Sequence, residues 1–175
     1  CSIYGFELTT GEIVFNLPDT CSDIPGNSGQ YFGTFAPVFF DNLLITRAQG
    51  NAFGGRGFVY AYDIDTKKLV WQWFSVPPEG GDDNWGVDEY ALGNIEYFLG
   101  DWGDSNLIAG GTSWGLMSID EDREILYLLT GEPANSFDAS LRPGPNLFSS
   151  SIIALDIRTG KMQWYFQIST HDITN

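Results

Sequence analysis

The sequence has few basic residues and no long hydrophobic run. Eight lysine and arginine residues stand against 23 aspartate and glutamate residues, so the formal net charge is −15 at pH 7. Nucleic-acid backbones are bound by clustered cations, and this scarcity of basic residues argues against a nucleic-acid partner. No stretch of about 18 apolar residues is present, which excludes a transmembrane helix. The acidity is typical of a secreted protein or of adaptation to salt, with recruitment of cations as the alternative.

Cysteine is also scarce. Cys1 and Cys21 flank a predicted pair of strands, and a disulfide between them is geometrically possible. Such a bond is the default in an extracytoplasmic protein. The alternatives are two free buried thiols, or partners elsewhere in a longer chain. Because the first residue is not methionine and the last residues carry no terminating feature, we expect a fragment of a longer chain.

Helical signals are missing as well, since the sequence has no heptad pattern and no amphipathic run of helix length. What it does have is 21 glycines, six tryptophans and 15% aromatic residues. This combination favours short strands joined by tight turns, as in a sandwich, a barrel or a propeller. The expected fold class is therefore all-β.

One short pattern occurs three times, at residues 5–15, 61–71 and 154–164. Each copy has an apolar strand, an acidic residue, a turn, and a second strand that ends in tryptophan or phenylalanine. The acidic side chain can accept hydrogen bonds from backbone N–H groups of the turn, and glycine supplies the positive φ that such a turn needs. Lys67 replaces this glycine in the second copy. Each copy is predicted to be a β-hairpin.

The spacing of the copies is uneven, whereas a propeller blade usually takes about 40–50 residues. The longer gap predicts an insertion loop at residues 76–107, rich in paired Pro, Gly and Asp. Further strands are predicted at 36–40, 42–46, 117–120, 124–130 and 150–157. We expect residues 1–175 to form part of one propeller domain, about three to four blades. Because a blade cannot bury both faces alone, its first partner is the remainder of its own propeller.

Several motifs carry a family resemblance. The pattern A-x-D-x-x-T-G-x-x-x-W stands at 154–164, Gly-Gly-Thr-Ser-Trp-Gly at 110–115 and Thr-Gly-Glu-Pro at 130–133. Arg-Pro-Gly-Pro-Asn follows at 142–146 and His-Asp at 171–172. In order and spacing these segments resemble the pyrroloquinoline-quinone (PQQ)-dependent alcohol and methanol dehydrogenases. The resemblance implies an eight-bladed quinoprotein β-propeller with PQQ in its central channel.

The resemblance also implies roles for particular residues. Trp114 falls on the tryptophan that stacks against the quinone ring, although a core or docking role is the alternative. Thr34 falls on a threonine that contacts the cofactor, and Gly50 and Asn51 fall in the loop beside the quinone carboxylates. In this family a Ca²⁺ or lanthanide ion polarises the reactive carbonyl, and a carboxylate takes the proton of the substrate hydroxyl.

The sequence departs from the family at the cation and base positions. Ala52 stands where a glutamate ligand is usual, and a methyl group cannot bind a cation. Glu132 replaces an asparagine and is the expected cation ligand, since a carboxylate binds a hard cation well; the alternative is a degenerated pocket. Asn175 occupies the position of the catalytic base, and an amide cannot accept a proton at neutral pH. Asp172 and His171 match residues that are expected to be structural.

Two functional hypotheses follow. The first is an extracytoplasmic PQQ-dependent dehydrogenase that oxidises a small alcohol or sugar by hydride transfer to a metal-polarised quinone and passes electrons to an acceptor protein. The second is a non-catalytic quinoprotein-like propeller, a binding or scaffold module in an extracellular or envelope complex. Ala52 and Asn175 favour the second, whereas the retained segment around Trp114 favours the first. Bound cofactor distinguishes the two.

Overall fold

The computed structural model describes residues 1–21, 31–33, 35–50, 54–76, 102–103, 109–113, 115–134 and 136–173. Within these ranges the chain is all-β, as predicted, with ten strands and no helix. It follows that none of the described segments is a helix with the length and apolarity of a membrane span. Most of the predicted insertion at 76–107 lies outside these ranges.

The strands form one hairpin and two four-stranded antiparallel sheets, each sheet in sequential order. The hairpin consists of β1 (Ile3–Phe6) and β2 (Ile13–Leu17). The first blade consists of β3 (Val38–Phe40), β4 (Leu43–Arg47), β5 (Phe58–Asp63) and β6 (Leu69–Phe74). The second blade consists of β7 (Ser118–Asp120), β8 (Ile125–Leu129), β9 (Ser151–Asp156) and β10 (Met162–Gln167). Such four-stranded meanders are typical of propeller blades, and the described residues contain two complete blades and one hairpin.

The three repeated motifs form the three predicted hairpin turns, β1–β2, β5–β6 and β9–β10. Their acidic side chains close the turns as expected. Asp63 Oδ1 accepts hydrogen bonds from the backbone N–H of Thr66 at 2.7 Å and from its hydroxyl at 2.8 Å. Asp156 Oδ1 accepts the corresponding N–H of Thr159 at 2.8 Å. These hydrogen bonds from Thr66 lower the pKa of Asp63, because they stabilise its charged form.

The aromatic residue that ends one motif packs on the turn of the next. The Trp71 ring lies against Gly160, where a Cβ would come within 2.4 Å of the ring, and Trp71 Nε1 donates to the carbonyl of Ile157 at 3.0 Å. The first copy ends in Phe15 instead, and its ring faces Lys67 Nζ at 5.2 Å. Lys67 adopts the same positive φ as the glycines it replaces, at 58°. The turn with lysine in place of glycine is therefore the one that contacts phenylalanine, and the turn with glycine contacts the larger tryptophan.

The two blades share one apolar core. The first blade contributes Phe58 and Trp73, and the second contributes Leu126 and Ile153, each at most 1% exposed. Full burial of a side chain of this kind contributes about 1.5–3 kcal/mol. Packing between the blades therefore fixes how their loops at one end face each other.

A disulfide joins Cys1 and Cys21, with the two Cα atoms 5.3 Å apart. Of the alternatives that the sequence left open, the structure has the bonded pair. The backbone N–H of Thr20 also donates to the carbonyl of Cys1 at 2.9 Å. Together these bonds close the segment that contains the β1–β2 hairpin.

The contact between Trp71 and Gly160 yields a stability prediction. Gly11 and Gly160 hold the same turn position with φ of 72° and 70°, but only Gly160 faces the tryptophan, whereas a Cβ on Gly11 would have nothing within 4 Å. We expect Gly160→Ala to lower the free energy of unfolding by about 2–4 kcal/mol, from backbone strain and overpacking together. Gly11→Ala, the matched control, adds only the strain of about 1 kcal/mol. Denaturant unfolding of the full-length protein measures both; equal losses would contradict the docking role of Gly160.

Candidate functional site

Three of the segments that the sequence analysis singled out meet at one end of the two blades. The backbone N–H of Gly110 donates to the carbonyl of Gly55, and the N–H of Gly57 donates back to the carbonyl of Gly110, both at 2.9 Å. Gly111 donates to the carbonyl of Glu132 at 2.8 Å. The glycine-rich segment therefore lies between the loop before Arg56 and the Thr-Gly-Glu-Pro segment. This juxtaposition joins the first blade to the second.

Gly110 is required at the centre of this arrangement. Its φ is 95°, in the region that favours glycine, and a Cβ would come within 2.3 Å of the backbone nitrogen of Ala134. The N–H of Ala134 in turn donates to the carbonyl of Ala109 at 3.0 Å. The sequence folds this way locally because only glycine allows the two backbones to approach so closely.

Further hydrogen bonds extend the network toward β8 and β9. Gly131 donates to the carbonyl of Thr112 at 3.0 Å, and Ser150 donates to the carbonyl of Gly131 at 2.8 Å. The Thr130 hydroxyl donates to the carbonyl of Phe148 at 2.6 Å and accepts from the N–H of Ser151 at 3.0 Å. Buried backbone groups in this region are thus held by specific partners, which makes it a defined scaffold for a site.

A cavity of about 350 Å³ opens beside this network. Two acidic residues, Glu132 and Asp172, are among the residues that line it. The lining residues are Gly115, Leu129, Thr130, Gly131, Glu132, Ser150, Ile168, Ser169 and Asp172. The cavity therefore combines the predicted cation ligand with a residue whose expected role was structural.

The carboxylate of Asp172 is held in place. Ser150 Oγ donates to Asp172 Oδ2 at 2.8 Å, and Ser150 has a positive φ of 47°. The neighbouring His171 is anchored on both backbone and side chain. Its N–H donates to the carbonyl of Pro145 at 3.0 Å, and its Nδ1 lies 2.8 Å from the carbonyl oxygen of Gly144. Nδ1 is therefore the protonated nitrogen in this contact.

Arg47 is a site residue that the sequence analysis did not identify. It ends β4, is only 6% exposed, and crosses to the second blade. Its Nε donates to the carbonyl of Ser113 at 2.9 Å, and Nη2 donates to the carbonyl of Gly115. The guanidinium also lies over the ring of Phe35, 5.0 Å from its centroid. The only sequence signal was a charged residue at the end of the apolar run Leu-Leu-Ile-Thr.

Burial lowers the pKa of Arg47, because desolvation disfavours its charged form. Burying an ion costs several kcal/mol, and in the part of the chain that the structure describes Arg47 takes no part in an ion pair. Hydrogen bonds from a charged donor contribute about 1.5–3 kcal/mol each and offset part of this cost. The Arg47 guanidinium is therefore bound to backbone carbonyls, whereas a buried arginine is usually paired with a carboxylate.

Two hydroxyls beside this arginine have no hydrogen-bond partner among the residues that the structure describes. Thr112 is 0% exposed and Ser113 is 2% exposed, and neither hydroxyl oxygen makes a hydrogen bond with any described residue. Buried polar groups without partners are uncommon and cost about 1–3 kcal/mol each. They suit a site in which a polar ligand supplies the missing partner.

The residues predicted from the sequence have different outcomes. Gly50 is buried, and its carbonyl accepts the N–H of Gly55 at 2.8 Å, so it is tied to the glycine-rich segment through Gly55. Glu132 lines the cavity. Trp114, Thr34, Asn51, Ala52 and Asn175 lie outside the described residues. Their roles stay predictions.

The described residues include some, but not all, of the ligands that a metal ion would need. Among the described residues no group of three or more histidine, cysteine, aspartate or glutamate side chains is arranged to hold one. Glu132 and Asp172 line the same cavity, and two carboxylates suit a hard cation when further ligands come from a bound organic group or water. The described residues therefore fit part of a cation site.

Comparisons with known proteins identify the family of the chain. A family model described as "PQQ: Glucose/ethanol/alcohol dehydrogenase, beta-propeller domain" matches residues 11–175. The quinohemoprotein alcohol dehydrogenase of Comamonas testosteroni is 33% identical over 152 residues, which cover 84% of this chain and 21% of that protein. Its crystal structure superposes with a TM-score of 0.83 at 30% identity, over 98% of this chain and 25% of that one.

Methanol dehydrogenase [cytochrome c] subunit 1 of Methylorubrum extorquens is 31% identical over 93% of this chain and 26% of its own length. A europium-containing methanol dehydrogenase matches with a TM-score of 0.74 at 27% identity, covering 98% of this chain and 30% of that one. The chain thus spans about a quarter of the length of these relatives. It belongs to the family of PQQ-dependent glucose, ethanol and alcohol dehydrogenases, as a part of their β-propeller domain.

Proposed function

We propose that the protein containing this chain is a PQQ-dependent dehydrogenase that oxidises a small alcohol or sugar. The observation that carries the proposal is the glycine-rich segment at 110–113, hydrogen-bonded between the loop before Arg56 and Glu132. This segment resembles the glycine-rich approach to the cofactor in the family, and we expect PQQ to lie beside it. When bound, the quinone would supply the electron-accepting chemistry for oxidation of the alcohol carbon.

The chain's own residues would bind and orient that group. Trp114 is proposed to stack on the quinone plane, since large flat rings gain from offset stacking. The Thr112 and Ser113 hydroxyls are buried and have no hydrogen-bond partner in the described part of the chain, so they are suited to bond polar atoms of a ligand. Thr34, Gly50 and Asn51 are proposed to complete the contact from the first blade. The roles of Trp114, Thr34 and Asn51 rest on the family resemblance, and those of Gly50, Thr112 and Ser113 rest also on their described positions.

Glu132 is proposed to hold a Ca²⁺ or lanthanide ion in place of the glutamate that Ala52 replaces. It lines the cavity together with Asp172, so two carboxylates face one space. Hard cations prefer oxygen ligands, and two carboxylates favour an ion of charge two or three. The europium in one related structure makes a lanthanide a reasonable metal for this chain too.

Asp172 is proposed to take the hydroxyl proton of the substrate, because Asn175 cannot. Its carboxylate faces the same cavity as Glu132 and is oriented by Ser150 Oγ at 2.8 Å. A general base must lie within hydrogen-bond reach of the proton that it takes, and a substrate hydroxyl bound next to Asp172 in this cavity would meet that requirement. This proposal replaces the structural role expected for Asp172 from the sequence.

An extracytoplasmic location and a separate electron acceptor complete the proposal. The Cys1–Cys21 disulfide is of a kind that persists in oxidising compartments. The Methylorubrum relative is named for cytochrome c, and a small electron-carrier protein is the acceptor proposed here.

A non-catalytic propeller is the second candidate, favoured by Ala52 and Asn175 at the family's ligand and base positions. Reconstitution separates the candidates. We expect the full-length apoprotein with PQQ and either Ca²⁺ or a lanthanide ion to reduce an artificial dye when given primary alcohols or aldose sugars. Stoichiometric quinone binding without turnover on any of them would contradict catalysis. Absence of quinone binding by a folded protein would favour the scaffold function.

The cation ligand has its own test. Glu132→Gln removes a carboxylate from the cavity, and we expect it to weaken Ca²⁺ or lanthanide binding to the PQQ-loaded protein by at least about tenfold. Glu121→Gln, in the exposed β7–β8 turn, makes the same charge change away from the cavity and should leave the affinity within about twofold. Isothermal titration measures both. Equal affinities for the two variants would remove Glu132 from the ligand set.

A further inference from the structure

Arg47 occupies an unusual position between the blades. It is a buried cation in the first blade, and its described side-chain hydrogen bonds go to backbone carbonyls of the segment that leads into the second blade. These carbonyls belong to Ser113 and Gly115, the residues on either side of Trp114 in the sequence. None of the roles proposed for binding PQQ, holding the cation or taking the substrate proton involves Arg47.

The segment that Arg47 holds is rich in glycine, and Arg47 adds side-chain hydrogen bonds at Ser113 and Gly115 to the backbone hydrogen bonds of Gly110, Gly111 and Thr112. Glycines at 110, 111 and 115 give the backbone wide conformational freedom, and two of them have positive φ. The peptide group before Trp114 and the peptide group after Gly115 are both fixed by one planar guanidinium. A planar fork with several donors can fix two acceptors in one geometry, which a single ammonium group cannot do.

The arginine is itself held in place. Its guanidinium lies over Phe35, the residue that follows Thr34, with 5.0 Å between the carbon and the ring centroid. Its backbone is paired in the ladder, with Arg47 opposite Val59. One side chain therefore connects the neighbour of Thr34 with the neighbours of Trp114. These are two positions that the family match assigns to the cofactor.

We infer that Arg47 is a positioning residue: by holding the carbonyls of Ser113 and Gly115 it fixes the backbone on either side of Trp114, the residue proposed to stack on the quinone. The inference rests on the proposed function. Stacking partners and other ligand contacts must be held within about 0.5 Å and 10–20° of their productive geometry. Removing the guanidinium of Arg47 should therefore change the affinity and the absorption band of bound PQQ, although no direct contact between Arg47 and PQQ is proposed.

The test compares Arg47→Met and Arg47→Lys with Trp71→Phe in the full-length protein. Trp71→Phe removes a different hydrogen bond between the blades, from Nε1 to the carbonyl of Ile157. We expect Arg47→Met to weaken PQQ binding at least about tenfold, to shift the absorption band of bound PQQ, and to speed amide exchange at residues 113–116. Arg47→Lys keeps the charge but not the fork, and should fall between wild type and Arg47→Met. If Arg47→Met does not fold, the comparison of Arg47→Lys with wild type takes its place.

The outcomes separate the inference from the proposed function. Trp71→Phe should lower the melting temperature but leave the PQQ absorption band and the exchange at 113–116 unchanged. If wild type binds PQQ and the Arg47 variants match it in affinity, absorption and exchange, the positioning role is overturned while the proposed function stands. If wild type binds no PQQ, both are overturned. If Trp71→Phe shifts the PQQ band as much as Arg47→Met, Arg47 is only one of several structural contacts between the blades.

Discussion

The contact between the two blades is the constraint on which the rest of the structure depends. Trp71 packs on the turn at Gly160, and the apolar faces of both sheets close the space behind it. Neither sheet could bury its apolar face alone, so the blades are stable only as neighbours. Their relative position decides whether loops that are distant in sequence can meet. The candidate site exists because they do.

At the site the contact between the blades becomes polar. Gly110 exchanges backbone hydrogen bonds with Gly55 and Gly57, and Arg47 reaches from the first blade to Ser113 and Gly115. An unpaired buried backbone group costs free energy comparable to a lost hydrogen bond, so this seam cannot slide without penalty. A seam of this kind can hold several residues of a cofactor site in register. It also explains why glycine and arginine, rather than apolar residues, stand at this end of the blades.

The local parts of the structure could be predicted from the sequence. The three hairpins follow from the chemistry of a few adjacent residues, an acidic side chain that caps the turn and a residue with positive φ. Even Lys67, the exception, keeps that conformation at φ 58°. The fold class and the family also follow, because motif order and spacing are properties of the sequence alone.

What could not be predicted depends on contacts between distant residues. The sequence places Glu132 and Asp172 forty residues apart and does not show that both line one cavity. It shows a charge at Arg47 but neither its burial nor its partners, which lie 66 and 68 residues further on. Such contacts are set by how the blades pack, and a pattern within a single strand carries no information about that packing.

We propose that this propeller keeps a working quinone site although Ala52 and Asn175 stand where the family resemblance implies a cation ligand and a catalytic base. The most direct measurement is to purify the intact protein from its source, denature it, and assay the extract for PQQ and metal. We expect the extract to contain close to one PQQ per protein together with calcium or a lanthanide. A folded protein that releases no PQQ would contradict the proposal of a quinone site and would favour a non-catalytic propeller that acts as a binding or scaffold module.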